Sequence, residues 1–515
     1  ALHHLEDLED PRARHLPSAV GVGLLVLVLA EVGQALARGR EDAGEGLLLH
    51  LVRARGDQAG RGVRERAVQG RPGLDQVLHE QEGAFTRRSI LPGGVRLLTE
   101  RDPGVRSASI GFWLPVGSRD ERPEHAGSTH FLEHLLFKGT PTRSALDIAR
   151  AFDEVGGESN AVTAKEHTCY YARVRSVDVP MAISTLADMV TSASIASEAF
   201  TTEREVILEE LAMAEDDPTD VGHEALIAAV LGESTALGRP VGGTPGTIND
   251  ISVEAVREHY RAHYVSANLV VTAVGDVQHD EVAAMLLEGL ERGGWNLGNG
   301  EAPRPRRERT GYTYPSEAGS ARGLGALKRG AVTKRLVRET EQTHLFLGGP
   351  AIPAWDERRH SLSVAMAILG GGMSSRLFQE VREKRGLAYS VYGFTAAYRD
   401  AGLAGLYAAC RPMNAEQVAK LLLEETERLA TDGIEEDELA RTLGHISGSM
   451  ALGLEDTQSR MARLATAELV LGSYRTVDEA LEVFRAVTRE SVREIAFQIA
   501  SGLAVRVDVG RDGVA

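Results

Sequence analysis

From Thr86 onward the chain alternates between two hydrophobic periods. VRLLTE (95–100) and SASIGFWLPV (107–116) set apolar residues on alternate or continuous positions, which predicts strands. PMAISTLADMVTSA (180–193) and AFTTEREVILEELAMAEDDP (199–218) repeat their apolar residues every three to four positions, which predicts helices. A Gly/Pro/Arg-rich stretch at 293–312, GGWNLGNGEAPRPRRERTGY, reads as an exposed linker between two halves of similar size. The halves echo each other. SVEAVREHY starts at Ser252 and TRESVREIAF at Thr488, an offset of 488 − 252 = 236. ASIGFWLP starts at Ala108 and THLFLGGP at Thr343, an offset of 343 − 108 = 235. Matching offsets at both ends predict one fold used twice. The expected class is α+β, with two homologous domains, each a mainly antiparallel sheet covered by helices.

The first 84 residues are of another kind. They hold no Phe, Tyr, Trp, Met, Ile, Asn, Lys, Thr or Cys, and such a segment packs a specific core poorly. The expected division is therefore an extension over 1–85, disordered or not genuine protein, then a domain at 86–292, a linker at 293–335 and a second domain at 336–515. AVGVGLLVLVLA (19–30) with Ala35-Leu36-Ala37 allows a reading as a secretory signal, but the EDLED before it is acidic where a signal wants a basic start. Glu31 interrupts the run and makes it too short to span a bilayer, so no stable membrane insertion is expected.

Charge and cysteine content narrow the partners. A net charge of −17 excludes nucleic acid and favours basic peptides. Cys169 and Cys410 are too few for a disulfide framework; both are expected to be buried thiols in a reducing, cytoplasmic compartment.

One stretch carries chemistry: EHAGSTHFLEHLLFKGTP, from Glu124 to Pro141. Gly127, Ser128 and Thr129 offer a helix start, and Gly139 with Pro141 a stop. His130 and His134 then stand one turn apart on one face, where two imidazoles can grip a single Zn²⁺. Glu133 lies beside them, within reach of a water at the same ion. This H-x-x-E-H order inverts the commoner zinc signature. A catalytic zinc wants a third protein ligand. The helix at 199–218 can supply one, and Glu203 and Glu210, two turns apart, share a face.

With these motifs the chain resembles the pitrilysin or insulinase superfamily, peptidase family M16, and among it bacterial members similar to the mitochondrial processing peptidase β subunit. The resemblance covers about 86–515. It implies a LuxS/metallohydrolase-like fold and a zinc metalloendopeptidase with one Zn²⁺ per chain. The family's spacing of 76 residues from the second histidine selects Glu210 as third ligand, since 210 − 134 = 76. Glu203 is then the residue that orients a ligand histidine, and Glu133 the general base. GGESNAVTAKEHTCYY (156–171) matches the family's edge strand, in which Asn160 and Ala161 hold substrate backbone extended. LGGGMSSRLFQEVREKRGLAYSVYGF (369–394) matches a second diagnostic segment, whose Arg382 and Tyr389 reach the active site from the facing domain. The Gly370–Gly372 run lacks the Lys-Ser/Thr of a phosphate loop. The second half has no H-x-x-E-H, as in the family's inactive repeat. The resemblance further implies a closed chamber that admits unfolded peptides, built by pairing chains, most simply as a homodimer. A dedicated maturase of one precursor peptide, and a non-catalytic assembly subunit of the same fold, are the competing functions. The N-terminal extension is the departure from the family pattern.

Overall fold

The computed structural model describes residues 75–81, 84–298 and 332–511. Twelve strands are β1 Asp75–Gln81, β2 Ala84–Ile90, β3 Arg96–Arg101, β4 Ser107–Leu114, β5 Glu158–Thr163, β6 Thr168–Arg175, β7 Val270–Gly275, β8 Val332–Val337, β9 Thr343–Ala351, β10 Ala388–Ala397, β11 Gly402–Cys410 and β12 Val505–Gly510. The first-half helices are α1 Ser128–Leu136, α2 Ala145–Asp153, α3 Val179–Ser192, α4 Ser197–Asp216, α5 Pro218–Leu231, α6 Pro245–Asp250, α7 Val253–His263 and α8 His279–Arg292. The second half contributes α9 Arg359–Gly370, α10 Ala415–Thr431, α11 Glu436–Gly453, α12 Thr457–Thr466, α13 Val477–Arg485 and α14 Arg489–Gly502.

The strands form two sheets. Sheet one runs β1-β2-β3-β7-β4-β6-β5 and sheet two β10-β11-β9-β12-β8. Among the described pairs, β3–β7 and β8–β12 are parallel and the rest antiparallel. Read from its β5 edge, sheet one gives β5-β6-β4-β7-β3, the order of sheet two strand for strand. The offsets agree with this pairing: β3 to β8 is 332 − 96 = 236 and β7 to β12 is 505 − 270 = 235. The predicted α+β class and the repeated fold are both present.

Two boundaries differ from the sequence expectation. β1 lies inside 1–85, the stretch expected to contribute nothing, and pairs with β2 at the edge of sheet one. As an edge strand it buries little, so its polar DQVLHEQ needs neither aromatic nor β-branched variety. Residues 1–74, including the signal-like run, lie outside the described residues. β8 begins at Val332, inside the expected linker. Its intermediate/exposed alternation carries Lys334 and Arg335, whose charge makes the segment read as linker.

Each half also lends a helix to the other. α5 of the first half lays Leu226 and Ile227 against Phe346, Val505 and Val507 of sheet two. α12 of the second half lays Met461, Leu464 and Ala465 against Leu98, Trp113 and Val274 of sheet one. Polar contacts seal the second exchange: Arg460 Nε donates to Glu100 at 2.8 Å, Ser109 and Thr457 share a hydrogen bond of 2.8 Å, and Arg88 pairs with Glu468 at 2.8 Å. Cys169 and Cys410 are both free and buried. Among the described residues no single helix is long and apolar enough to cross a membrane.

Candidate metal centre

The site is built on α1. Phe131, Leu132, Leu135 and Leu136 are fully buried and fix one face of this helix in the core. Burial of such side chains contributes roughly 1.5–3 kcal/mol each and anchors the nine-residue helix. Its start is unusual. Gly127 sits at φ +99, a conformation that suits glycine, and the N-terminal amides are capped from a distance. The Glu121 carboxylate accepts from the N–H of Gly127 at 2.8 Å and of Thr129 at 2.7 Å. Burial pushes the Glu121 carboxyl up to about 7, against the pull of those hydrogen bonds. Sequence reasoning missed Glu121, because GSRDERPEH reads as a solvated charged loop.

On the opposite face His130 and His134 stand edge to face, with ring centroids 4.8 Å apart. Both present Nε2 to Glu210 Oε2 on α4, at 3.6 Å and 3.3 Å. All three donor atoms lie within 4.8 Å of one another. A tetrahedral zinc with bonds of about 2.0–2.1 Å sets its donors roughly 3.4 Å apart, so the observed edges fit that ion. Glu210 Oε2 is buried and meets neither imidazole in hydrogen-bonding geometry. Two nitrogens and a carboxylate oxygen, one of them orphaned in the interior, are a zinc donor set.

The surrounding groups tune these donors. Glu203 is buried; it accepts from His134 Nδ1 at 3.1 Å and pairs with Lys138 Nζ at 2.8 Å. Holding Nδ1 this way aims Nε2 at the ion position. Burial pulls the His134 imidazole down, but the Glu203 and Glu210 carboxylates outweigh it and carry it up to about 9. His130, buried and beside His134, is pushed down to about 4. Burial raises Glu210 as well, yet the two imidazoles win and hold it below the usual carboxylate range. An ion held by these donors would take the place of the proton on His134.

Glu133 projects toward β5, where Thr163 Oγ1 donates to its Oε2. Burial raises the Glu133 carboxyl, partly offset by Thr163. Among the described residues β5 is an edge of sheet one, paired with β6 alone. Asn160 and Ala161 lie on it, opposite Tyr171 and Tyr170, and Asn160 Oδ1 accepts from Ala161 N–H at 2.8 Å. His130, Glu133, His134, Glu203 and Glu210 thus meet at one place, with the edge strand alongside. Arg382 and Tyr389 do not join them. Arg382 lies over the rings of Phe378 at 4.7 Å and Tyr389 at 4.6 Å, and donates to the Tyr389 carbonyl at 3.1 Å. Tyr389 is 70% exposed.

A duplicated sheet-and-helix fold with one inverted H-x-x-E-H helix defines a class of two-domain metallohydrolase-like proteins. Comparisons with known proteins narrow this. Residues 96–244 match the insulinase family, peptidase family M16, and residues 250–444 match the peptidase M16 inactive domain. An uncharacterized zinc protease of Streptomyces coelicolor is 47% identical over 410 residues, 80% of this chain and 86% of its own length. One of Mycobacterium tuberculosis is 43% identical over 416 residues, 81% of this chain and 91% of its own. One of Bacillus subtilis is 37% identical over 415 residues, 80% of this chain and 95% of its own. Among solved structures, a protease from Helicobacter pylori superposes with a TM-score of 0.72 at 20% identity, covering 82% of this chain and 99% of that one. A peptidase M16 inactive domain from Pseudomonas fluorescens gives 0.71 at 19%, covering 84% and 99%. The chain belongs to peptidase family M16.

Proposed function

We propose that this chain is a zinc-dependent endopeptidase that hydrolyses unfolded peptides. The observation that carries the reading is the convergence of His130, His134 and Glu210 donor atoms within 4.8 Å, with the Glu133 carboxyl beside them. The relatives described as zinc proteases support it. A zinc ion held by those three residues supplies Lewis acidity, which polarises a peptide carbonyl and makes water a stronger acid.

The chain's own groups do the rest. The free edge of β5, at Asn160 and Ala161, takes the substrate backbone as an added strand. Glu133, poised by burial and held by Thr163, accepts a proton from the attacking water and passes it to the leaving amine. Glu203 keeps the His134 ring aimed. Arg382 and Tyr389, which contact only their own segment here, act on the substrate oxyanion from a partner chain in a homodimer that closes a chamber. The net charge of −17 favours basic peptides.

The deciding experiment is Glu133→Gln. It should retain about one zinc per chain while hydrolysis of an unstructured peptide falls by at least roughly 100-fold, the scale of a lost general base. An active Glu133→Gln protein, or full activity after chelation, overturns the assignment.

A further inference from the structure

Five residues between β4 and α1, Gly117–Glu121, touch three separate parts of the molecule. The first is the turn between β5 and β6. Ser118 N–H donates to Ala164 O at 3.2 Å and Arg119 N–H to Lys165 O at 3.0 Å. The backbones come so close that a Cβ on Gly117 would lie 2.2 Å from Ala164 O, so only glycine fits. The second is the start of the metal helix, capped by Glu121. The third is the second half of the chain. The Arg119 guanidinium forks onto Asp400, with Nη1 at 3.1 Å from Oδ1 and Nη2 at 2.9 Å from Oδ2. The same Nη1 also donates to Glu166 Oε1 in the β5–β6 turn. Glu166 is buried and turns its other oxygen to the backbone N–H of Arg399 at 3.1 Å.

Arg119 is therefore a cation shared by two carboxylates that belong to different halves. Its guanidinium is 17% exposed and Glu166 9%, so water screens this contact far less than a surface pair. Three residues before Glu166, where β5 enters the same turn, Thr163 holds Glu133. A turn fixed at Glu166 fixes the register and tilt of β5, and with it the Thr163 hydroxyl. We infer that Arg119 is a positioning residue: by clamping Glu166 against the Arg399–Asp400 turn of the second half, it sets the edge strand β5 and Thr163 against the Glu133 carboxyl. Nothing in its type or spacing marks it in the sequence, and its side chain bonds to Glu166 and Asp400 rather than to the metal donors. The catalytic part of this inference rests on the peptidase reading; the structural part does not.

The test uses the full chain with zinc. Arg119→Ala leaves Glu166 and Asp400 facing each other without a cation, and Arg119→Lys restores the charge without the fork. Amide hydrogen exchange across 158–168 should speed up in Arg119→Ala, while 128–136 and the zinc content stay as in the wild type. Turnover of a quenched fluorescent peptide should fall roughly ten- to hundredfold, the scale of an ångström-level misplacement, with Arg119→Lys intermediate. A general loss of stability would instead speed exchange across 128–136 as well. Because Arg119 acts through Thr163, the double variant Arg119→Ala/Thr163→Val should be about as slow as the slower single variant, not slower by the product of the two. Unchanged exchange at 158–168, or multiplicative losses, overturns the inference. If Arg119→Ala does not fold, Asp400→Asn, which keeps shape and removes charge, is carried through the same comparisons. If the wild type cleaves no peptide, the peptidase reading fails by itself, and the exchange data alone decide whether the clamp exists.

Discussion

Replacing Glu203 with Gln should weaken zinc binding by an amount that depends on pH, and the structure gives the form of that dependence. Glu203 is buried, bonded to His134 Nδ1 at 3.1 Å and paired with Lys138 Nζ at 2.8 Å. Gln keeps the shape but removes the charge that makes His134 a better donor. Losing such a partner costs about 10- to 100-fold in affinity, or roughly 1.4–2.7 kcal/mol. A second effect opposes it. The same carboxylate, with Glu210, holds the His134 imidazole up to about 9 in the metal-free protein. At pH 7 zinc must displace that proton, two units below its pKa, which costs about 3 kcal/mol. Glu203→Gln lowers the pKa and so relieves part of that competition. The full loss should therefore appear near pH 9.5, where wild-type His134 is already neutral, and shrink to a few-fold near pH 7. Zinc affinity is measured by competition with a chelator that buffers free zinc at both pH values, and the ratio of variant to wild type cancels any titration common to the two. A ratio that is the same at pH 7 and 9.5, or unaltered affinity at pH 9.5, would refute the role given to Glu203.

Three further outcomes are expected. The metal-free protein should lose stability as pH rises, because a His134 pKa raised from 6.5 to about 9 contributes fully below 6.5 and is lost through 9; thermal melts across that range should show a fall that zinc-loaded protein does not share. Gly222→Ala should destabilise the exchanged helix α5 by about 1–3 kcal/mol in urea unfolding, since the added Cβ would sit 2.0 Å from Phe346 Cε2. If Arg382 and Tyr389 serve a partner's site, mixing Glu133→Gln protein with an Arg382→Ala/Tyr389→Phe variant should restore about a quarter of wild-type activity, because half the dimers are mixed and each has one intact site of two; no recovery with exchange confirmed sinks the trans arrangement.

What the sequence disclosed follows from the physics of each feature. The metal helix was legible because helical geometry ties residue spacing to shared faces: His130, Glu133 and His134 need no tertiary knowledge to be placed together. Glu203 and Glu210 could be put on one face of α4, yet choosing between them needed the family's spacing. The repeat was legible because duplicated chains keep their offsets, as β3/β8 and β7/β12 do. What escaped notice were features defined by long-range packing. Glu121 and Lys165 look like surface charges, but both are buried. One caps α1 and the other donates to Arg239 O at 2.8 Å. β1 and β8 were missed for a common reason. Edge strands bury one face weakly, so the hydrophobic signal that betrays β4 or β9 is diluted in them. The helix exchange leaves no local mark either, because an amphipathic stripe does not say which sheet it will cover.

The duplication also explains why, among the described residues, one half holds the metal donor set. Bringing two histidines and two glutamates into a protein interior is unfavourable unless each finds a partner. The first half supplies them: Glu203 for His134, Lys138 for Glu203, Thr163 for Glu133 and a distant carboxylate to cap the helix that carries them. In the second half α9 holds the place of α1 in the repeat, and its buried positions, among them Leu362, Val364, Met366, Ile368 and Leu369, carry no titratable group. α11, in the place of α4, buries Leu439 and Ile446. That half buries carboxylates too, but pairs each with a nearby cation, Glu425 with Arg428 and Asp508 with Arg506. Further ion pairs lie at the junction, where Arg460, Glu468 and Asp400 reach across to Glu100, Arg88 and Arg119. A half freed of metal binding has become the scaffold against which the metal-bearing half is held. Substitutions at the Arg119–Asp400 contact, which Glu166 ties to the β5–β6 turn, should therefore disturb the geometry of the β5 edge and leave the donor set intact.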